Sequence, residues 1–280
     1  MRCLLVINTL SGRSAEVKEQ EVIRRYAAED DVTVRYLHSS DENYALGNNE
    51  KLIVCGGDGT LHRAIERFGD LDVDIYYLPC GTFNETAKAL KGKGIIPLPP
   101  FASIGGTPFA YVAATGSFTE LGRLANANAK HRFKLFAYFA KVIAAYKVHR
   151  TQLTIRTPHL SQEGAYTLLM ISDAPRCFGF RFNRLHKKHP TEVQLLAIKA
   201  PERDSLWGRI RIFFPFFRAF FLGFSKPYLS KNILFTSVSS ALITLSSPAE
   251  FCLDGESAML DGAMKVERHA QKARVFVIKE

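Results

Sequence analysis

The chain has 280 residues, 47% of them hydrophobic and 23% charged, which is enough to build a full core and excludes a disordered protein. Its formal net charge of +10 is uneven: residues 1–100 carry 15 acidic and 12 basic side chains, the remaining 180 carry 12 acidic and 25 basic. Residues 121–162, 174–191 and 205–249 contain no Asp or Glu, so the second half is expected to face something anionic, nucleic acid or a membrane surface. Five scattered cysteines without a CxxC pair argue against a disulfide framework or a zinc site and favour a reducing, cytosolic setting. The run "CLLVI" after Met1 is too short for a secretory signal.

Taken in chain order, "RCLLVIN" reads as a buried strand, followed by a turn at Ser11-Gly12 and an amphipathic helix. "VTVRYLH" and "KLIVC" are two further strands, the latter ending at the glycine loop "GGDGT" (56–60). A helix follows to Gly69, then the strand "VDIYYLPCGT" and a helix over "NETAKALKG" that Asn84 is placed to cap. This alternation predicts a doubly wound, Rossmann-like parallel sheet for the first hundred residues, with ligands at the carboxyl ends of its strands. "KGKGIIPLPPF" reads as a linker by its glycines and prolines. Beyond it come "FAYVAATGSF", "TQLTIRT", "YTLLMISD", "VQLLAIKA", "NILFTSVSS", "ALITLSS" and "FCLDGE", a mainly antiparallel β-sandwich or open barrel with helices inserted at 133–148 and about 204–223.

Three turns fall on one rim of the expected parallel sheet. The first carries Asn8, Ser11, Gly12 and Arg13; the second Gly56, Gly57, Asp58, Gly59 and Thr60; the third Gly81, Thr82 and Asn84. One glycine-rich turn suits any strand-to-helix connection, but three on one rim point to a nucleotide site with phosphates held on backbone N–H groups. Neither a GxxxxGK[ST] loop nor a GxGxxG fingerprint is present.

With "NTLSG" (8–12), "GGDGT" (56–60), "GTFN" (81–84) and "LDGE" (253–256) in this order and spacing, the chain resembles the diacylglycerol kinase catalytic-domain superfamily, and its bacterial lipid kinases in particular. The resemblance implies a nucleotide-binding α/β domain at 1–102 and a β-sandwich lipid-substrate domain at 103–265, with the active cleft between them. It also implies a last segment, 266–280, whose strand "ARVFVIKE" returns to the first domain. The implied reaction transfers the γ-phosphoryl group of ATP to a lipid hydroxyl, with Mg²⁺ as cofactor, in lipid metabolism and phospholipid biosynthesis.

The residues suit that chemistry, because phosphoryl transfer needs cradled phosphates, Mg²⁺ and a positioned hydroxyl rather than covalent help. The glycine turns supply N–H donors, Thr60 and Thr82 add hydroxyls, and Asp58 is the candidate to approach the Mg²⁺ carried by ATP. The base is expected from the Asp-Gly-Glu turn, with Asp254 and Glu256 both nominated; Asp261 in the second "LDG" is a turn residue. Three features depart from the family pattern. Leu61, His62 and Arg63 replace the usual short residue and Asn-Glu, Phe83 replaces a glycine, and Thr191-Glu192 stand where some relatives place an Asp-Gly of a structural Mg²⁺ site.

Two basic apolar segments, 131–150 and 206–228, are too interrupted by charge to span a membrane and suit elements lying on its surface. No RNA-binding signature appears, so nucleic acid is not the expected partner. The expectation is a cytoplasmic protein, peripherally bound at an anionic membrane where its lipid substrate lies; a homodimer is compatible with it. "HKKH" (186–189) reads as a solvated basic loop, and Cys55 and Cys80 as small buried apolar residues. Two alternatives stay open: an NAD kinase-like enzyme with a soluble substrate, and a catalytically silent nucleotide- or lipid-binding relative.

Overall fold

The computed structural model describes residues 1–39, 42–82, 84–117, 148–177, 180–203, 205–268 and 271–279. The helix expected at 133–148 and nearly all of the basic segment 131–150 lie outside the described residues. The chain divides into two compact units, Met1–Phe101 with His269–Glu280, and Ala102–Arg268.

The first unit is built on a six-stranded sheet in the order β2 (Asp31–Leu37), β1 (Arg2–Asn8), β3 (Lys51–Gly56), β4 (Asp74–Pro79), β18 (Arg274–Lys279), β5 (Gly94–Pro97). All pairings are parallel except that of β5 with β18. Cys3–Ile7 and Leu52–Gly56 are buried residue after residue, because parallel strands are covered on both faces and lose the alternation of a half-exposed sheet. Helices α1 (Glu19–Tyr26) and α2 (Asp58–Phe68) lie in the crossovers, and Val22 of α1 joins Cys3, Leu5, Ile53, Cys55 and Cys80 in one core. The chain runs from β1 outward to β2 and then back past β1 to β3. The reversal point therefore falls between β1 and β3, the place where open α/β sheets form their ligand crevice. The expected linker is in part an edge strand: Ile95 and Ile96 pair with Ile278 and Val277 of the last strand.

The second unit carries a twelve-stranded antiparallel sheet among the described residues. Its centre is β10 (Leu160–Ser172) and β11 (Val193–Lys199). Along β10, Leu169 and Ile171 enter a core with Ile155, Ile243, Phe251 and Val266, while Leu168 and Met170 enter a second core with Leu196, Phe216, Phe220 and Phe235. The unbroken apolar run "TLLMI" thus has period 2, with both faces covered. A bulge between Tyr166 and Leu168 divides β10: its first part pairs with β9 (Thr151–Thr157) and its second with β8 (Val112–Gly116). The second core is closed by helix α4 (Leu206–Phe217), which continues into a wider π turn at Arg218–Leu222.

At the end of β10, Asp173 is buried and pairs with Arg268. Burial raises the Asp173 carboxyl to about 7; the Arg268 guanidinium opposes this rise and the Asp254 carboxylate adds to it. Its folded-state value then lies above the ordinary carboxyl value of about 4, so the folded protein holds the extra proton between roughly pH 4 and pH 7. Stability contributed through this group falls as pH rises across that window. Urea unfolding at a series of pH values is expected to show a shallower decline for Asp173→Asn than for the parent; equal slopes would remove Asp173 from the account.

Candidate functional site

In the first unit, the loops after β1, β3 and β4 leave the carboxyl ends of neighbouring strands and are tied to one another. Asn8 Nδ2 donates to Thr60 Oγ1 at 2.8 Å, joining the first loop to the second. Arg13 N donates to Cys80 O at 2.8 Å and its guanidinium to Pro79 O at 3.2 Å, joining the first to the third. Cys80 N and Gly81 N both donate to Gly56 O, joining the third to the second. The packing requires glycine in two places. A Cβ on Gly81 would stand 2.5 Å from Gly57 Cα, and one on Gly56 would overlap the Thr60 side chain at 2.5 Å.

Helix α2 begins at Asp58 with Gly57 as its N-cap, a residue with no side chain to cap the first turn. A helix start of this kind, set among glycine loops, suits an anion. The Asp58 carboxylate is buried and accepts from Thr86 N at 3.1 Å, which caps the short helix α3 (Glu85–Ala89). Asn84 does not cap that helix as expected. It takes a left-handed backbone, φ 50°, and folds back as a clip: Oδ1 accepts from Gly81 N and Nδ2 donates to Gly81 O, each at 2.9 Å. Asparagine tolerates this conformation better than most residues.

The nominated residues therefore separate into two groups. Asn84, Asp58, Thr60, Gly56 and Gly81 are buried and hold the loops in shape, whereas Asn8, Ser11, Gly12, Arg13, Gly57, Gly59 and Thr82 reach solvent. The hydroxyl expected of Thr60 is turned to Asn8 and is buried; Thr82 is exposed. Tyr77 and Thr86, which bond to Asn84 and Asp58, escaped the sequence reading; neither lies in a motif, and each contact is made by folding. Phe83 lies outside the described residues. Among the described residues, no group of three or more His, Cys, Asp or Glu could hold a metal ion. The loops fit a polyphosphate, and a divalent cation there would draw most of its ligands from the phosphates themselves.

In the second unit, Asp254 and Gly255 form the two-residue loop of a hairpin between β15 (Ala249–Leu253) and β16 (Glu256–Leu260). Their φ angles of 52° and 106° fit the type I′ turn that Asp-Gly favours. The Asp254 side chain is buried and accepts from three successive backbone amides: Ala110 N, and Tyr111 N and Val112 N, the last two at 2.9 Å each. Asp254 N in turn donates to Val112 O. This carboxylate fastens the hairpin to the start of β8. Glu256 is exposed at the first position of β16.

In "HKKH" (186–189) Lys187, Lys188 and His189 are exposed, as expected of a solvated basic loop, and His186 is half-buried. His186 Nδ1 lies 3.1 Å from Gln194 Oε1, and burial lowers its pKa. Glu192 accepts from Ser237 Oγ at 2.6 Å, and Arg268 donates to the carbonyls of Pro190 and Thr191.

Residues 2–104 match the family model of the diacylglycerol kinase catalytic domain. No curated protein matches the chain. Among solved structures, a diacylglycerol kinase from Bacillus anthracis str. Sterne aligns over 100% of this chain and 97% of its own, with a TM-score of 0.62 and 13% identity. Two structures from the same organism provisionally described as diacylglycerol kinases align over the same shares, with TM-scores of 0.65 and 0.64 at 14% and 15% identity. These likenesses show a common fold. The part of the chain that bears the three tied loops, residues 2–104, thus carries the sequence pattern of the diacylglycerol kinase catalytic domain.

Proposed function

We propose that the protein is an ATP-dependent lipid kinase, transferring the γ-phosphoryl group of ATP to the hydroxyl of a membrane lipid alcohol such as diacylglycerol. One observation carries the reading: the loops after β1, β3 and β4 are bonded into a single glycine-walled cradle beside the uncapped start of α2. The family match over residues 2–104 supports it. The deficit of acid in the second half, net +13 beyond residue 100, supports an anionic membrane as the setting.

When bound, ATP with Mg²⁺ supplies the phosphoryl group and the metal charge that offsets its oxygens. The amides at the start of α2 orient the phosphates at fixed positions, so little reorganisation is needed as charge develops. Asp58 and Asn84 keep the loops in place through Thr86 and Gly81. Glu256 accepts the proton of the acceptor hydroxyl as its oxygen bonds to the γ-phosphorus and the bond to the leaving ADP oxygen breaks. Asp254, which accepts from three backbone amides, is assigned the role of anchor in this reading and Glu256 that of base.

An acceptor screen tests the reading. Purified protein, Mg²⁺, γ-labelled ATP and mixed micelles of diacylglycerol, sphingoid base, undecaprenol or ceramide are expected to yield one labelled lipid. Label on NAD instead would assign a soluble-substrate kinase. Nucleotide binding with no labelled acceptor would assign a silent relative.

A further inference from the structure

Helix α4 is apolar on two opposite sides, with Arg209 and Arg211 between, and only one of those sides is buried. Ile212, Phe216, Ala219 and Phe220 of α4 and its π turn enter the second core, which fixes the rotation of the element. Ser205 fixes its start, accepting from Gly208 N at 3.1 Å. Arg218 fixes its end, donating to Gly223 O with its guanidinium over Phe224 and Tyr228 at 4.6 and 4.9 Å. The opposite side then presents Trp207, Ile210 and Phe214, at i, i+3 and i+7, exposed by 75%, 44% and 67%. Leu222 prolongs the stripe, with Arg211 and Lys226 exposed beside it.

We infer that this face of α4 is a docking surface for an anionic phospholipid bilayer, with Trp207, Ile210 and Phe214 entering the headgroup layer and Arg211 and Lys226 meeting lipid phosphates. A helix with an aromatic and aliphatic face flanked by cations matches an element that lies in the interface plane. Among the described residues no helix is long and apolar enough to cross a membrane. Charge selects among occupants. Residues 205–249 contain five Arg and Lys and no acid. A second copy joined through the same face about a two-fold axis would bring cation against cation, whereas an anionic headgroup layer offers a counter-charge everywhere. The inference extends the lipid-kinase reading by naming the face that meets the bilayer.

Its test uses neither ATP nor a lipid alcohol, so it can fail or succeed independently of that reading. Trp207 is the only tryptophan of the chain, and its emission reports on this face alone. Vesicles of phosphatidylcholine with phosphatidylglycerol are expected to sediment the full-length protein and shift Trp207 emission to the blue; raised salt should weaken both effects. Ile210→Ser/Phe214→Ser is expected to weaken binding by about tenfold or more. Arg211→Glu/Lys226→Glu should weaken it on anionic vesicles while leaving thermal unfolding unchanged. The idea is overturned if Trp207 emission does not respond to anionic vesicles. It is equally overturned if that emission shifts with protein concentration in the absence of lipid and Ile210→Ser/Phe214→Ser abolishes self-association, which would make the face an interface between copies.

Discussion

Glu256→Gln is expected to lower the rate of phosphoryl transfer by roughly a hundredfold to ten-thousandfold, the range over which positioned general bases act. Its unfolding midpoint should stay close to the parent's, since substitutions at exposed positions usually change stability by less than about 0.5 kcal/mol. The side chain is exposed at the start of β16, and the amide keeps its shape while removing its basicity. Parallel measurements of turnover with saturating ATP and of urea unfolding decide the matter. A variant that keeps normal turnover would take the base away from Glu256.

Asp254→Ala is expected to act in the opposite way, through the fold. It strips the acceptor from three buried amides, those of Ala110, Tyr111 and Val112. Each buried donor left unanswered costs about 1–3 kcal/mol, so the total loss should reach about 3 kcal/mol or more. The change also places alanine at a positive φ that aspartate tolerates better. Asp254→Asn should cost less, because its one carbonyl oxygen can still serve two amides. Chemical unfolding that ranks Asp254→Ala below Asp254→Asn below the parent, with the loss of activity following the loss of fold, would fit the anchoring role. Full stability in Asp254→Ala with activity abolished would contradict it and make Asp254 the base.

The parts of the molecule legible in the sequence are those fixed by short-range patterns. Strands β1 and β3 read as apolar runs because both their faces are covered, and each runs into a glycine loop that had to lie on the same rim of a parallel sheet. The Asp254-Gly255 hairpin was marked by its own dipeptide. What escaped depends on partners far along the chain. Asn84 stands where a helix cap belongs by spacing, yet the cap comes from Asp58, twenty-eight positions earlier, which frees Asn84 to clip Gly81. Asp254 and Glu256 are alike as carboxylates of one turn in sequence, and only the fold brings the amides of 110–112 to Asp254. Gly94–Pro97 carries the residues of a linker, but β18 offers it an edge to pair with, and only the fold brings that edge near. The patterns marked where chemistry was expected; long-range hydrogen bonds decided which carboxylates are engaged in holding the structure.

A crystal grown with Mg²⁺ and a non-hydrolysable ATP analogue tests the central claim most directly. The account predicts the triphosphate lying against the loops that follow β1, β3 and β4, within hydrogen-bond reach of their backbone amides at the start of α2. An analogue that saturates the protein in solution yet leaves those loops bare, or binds elsewhere on the chain, would contradict it.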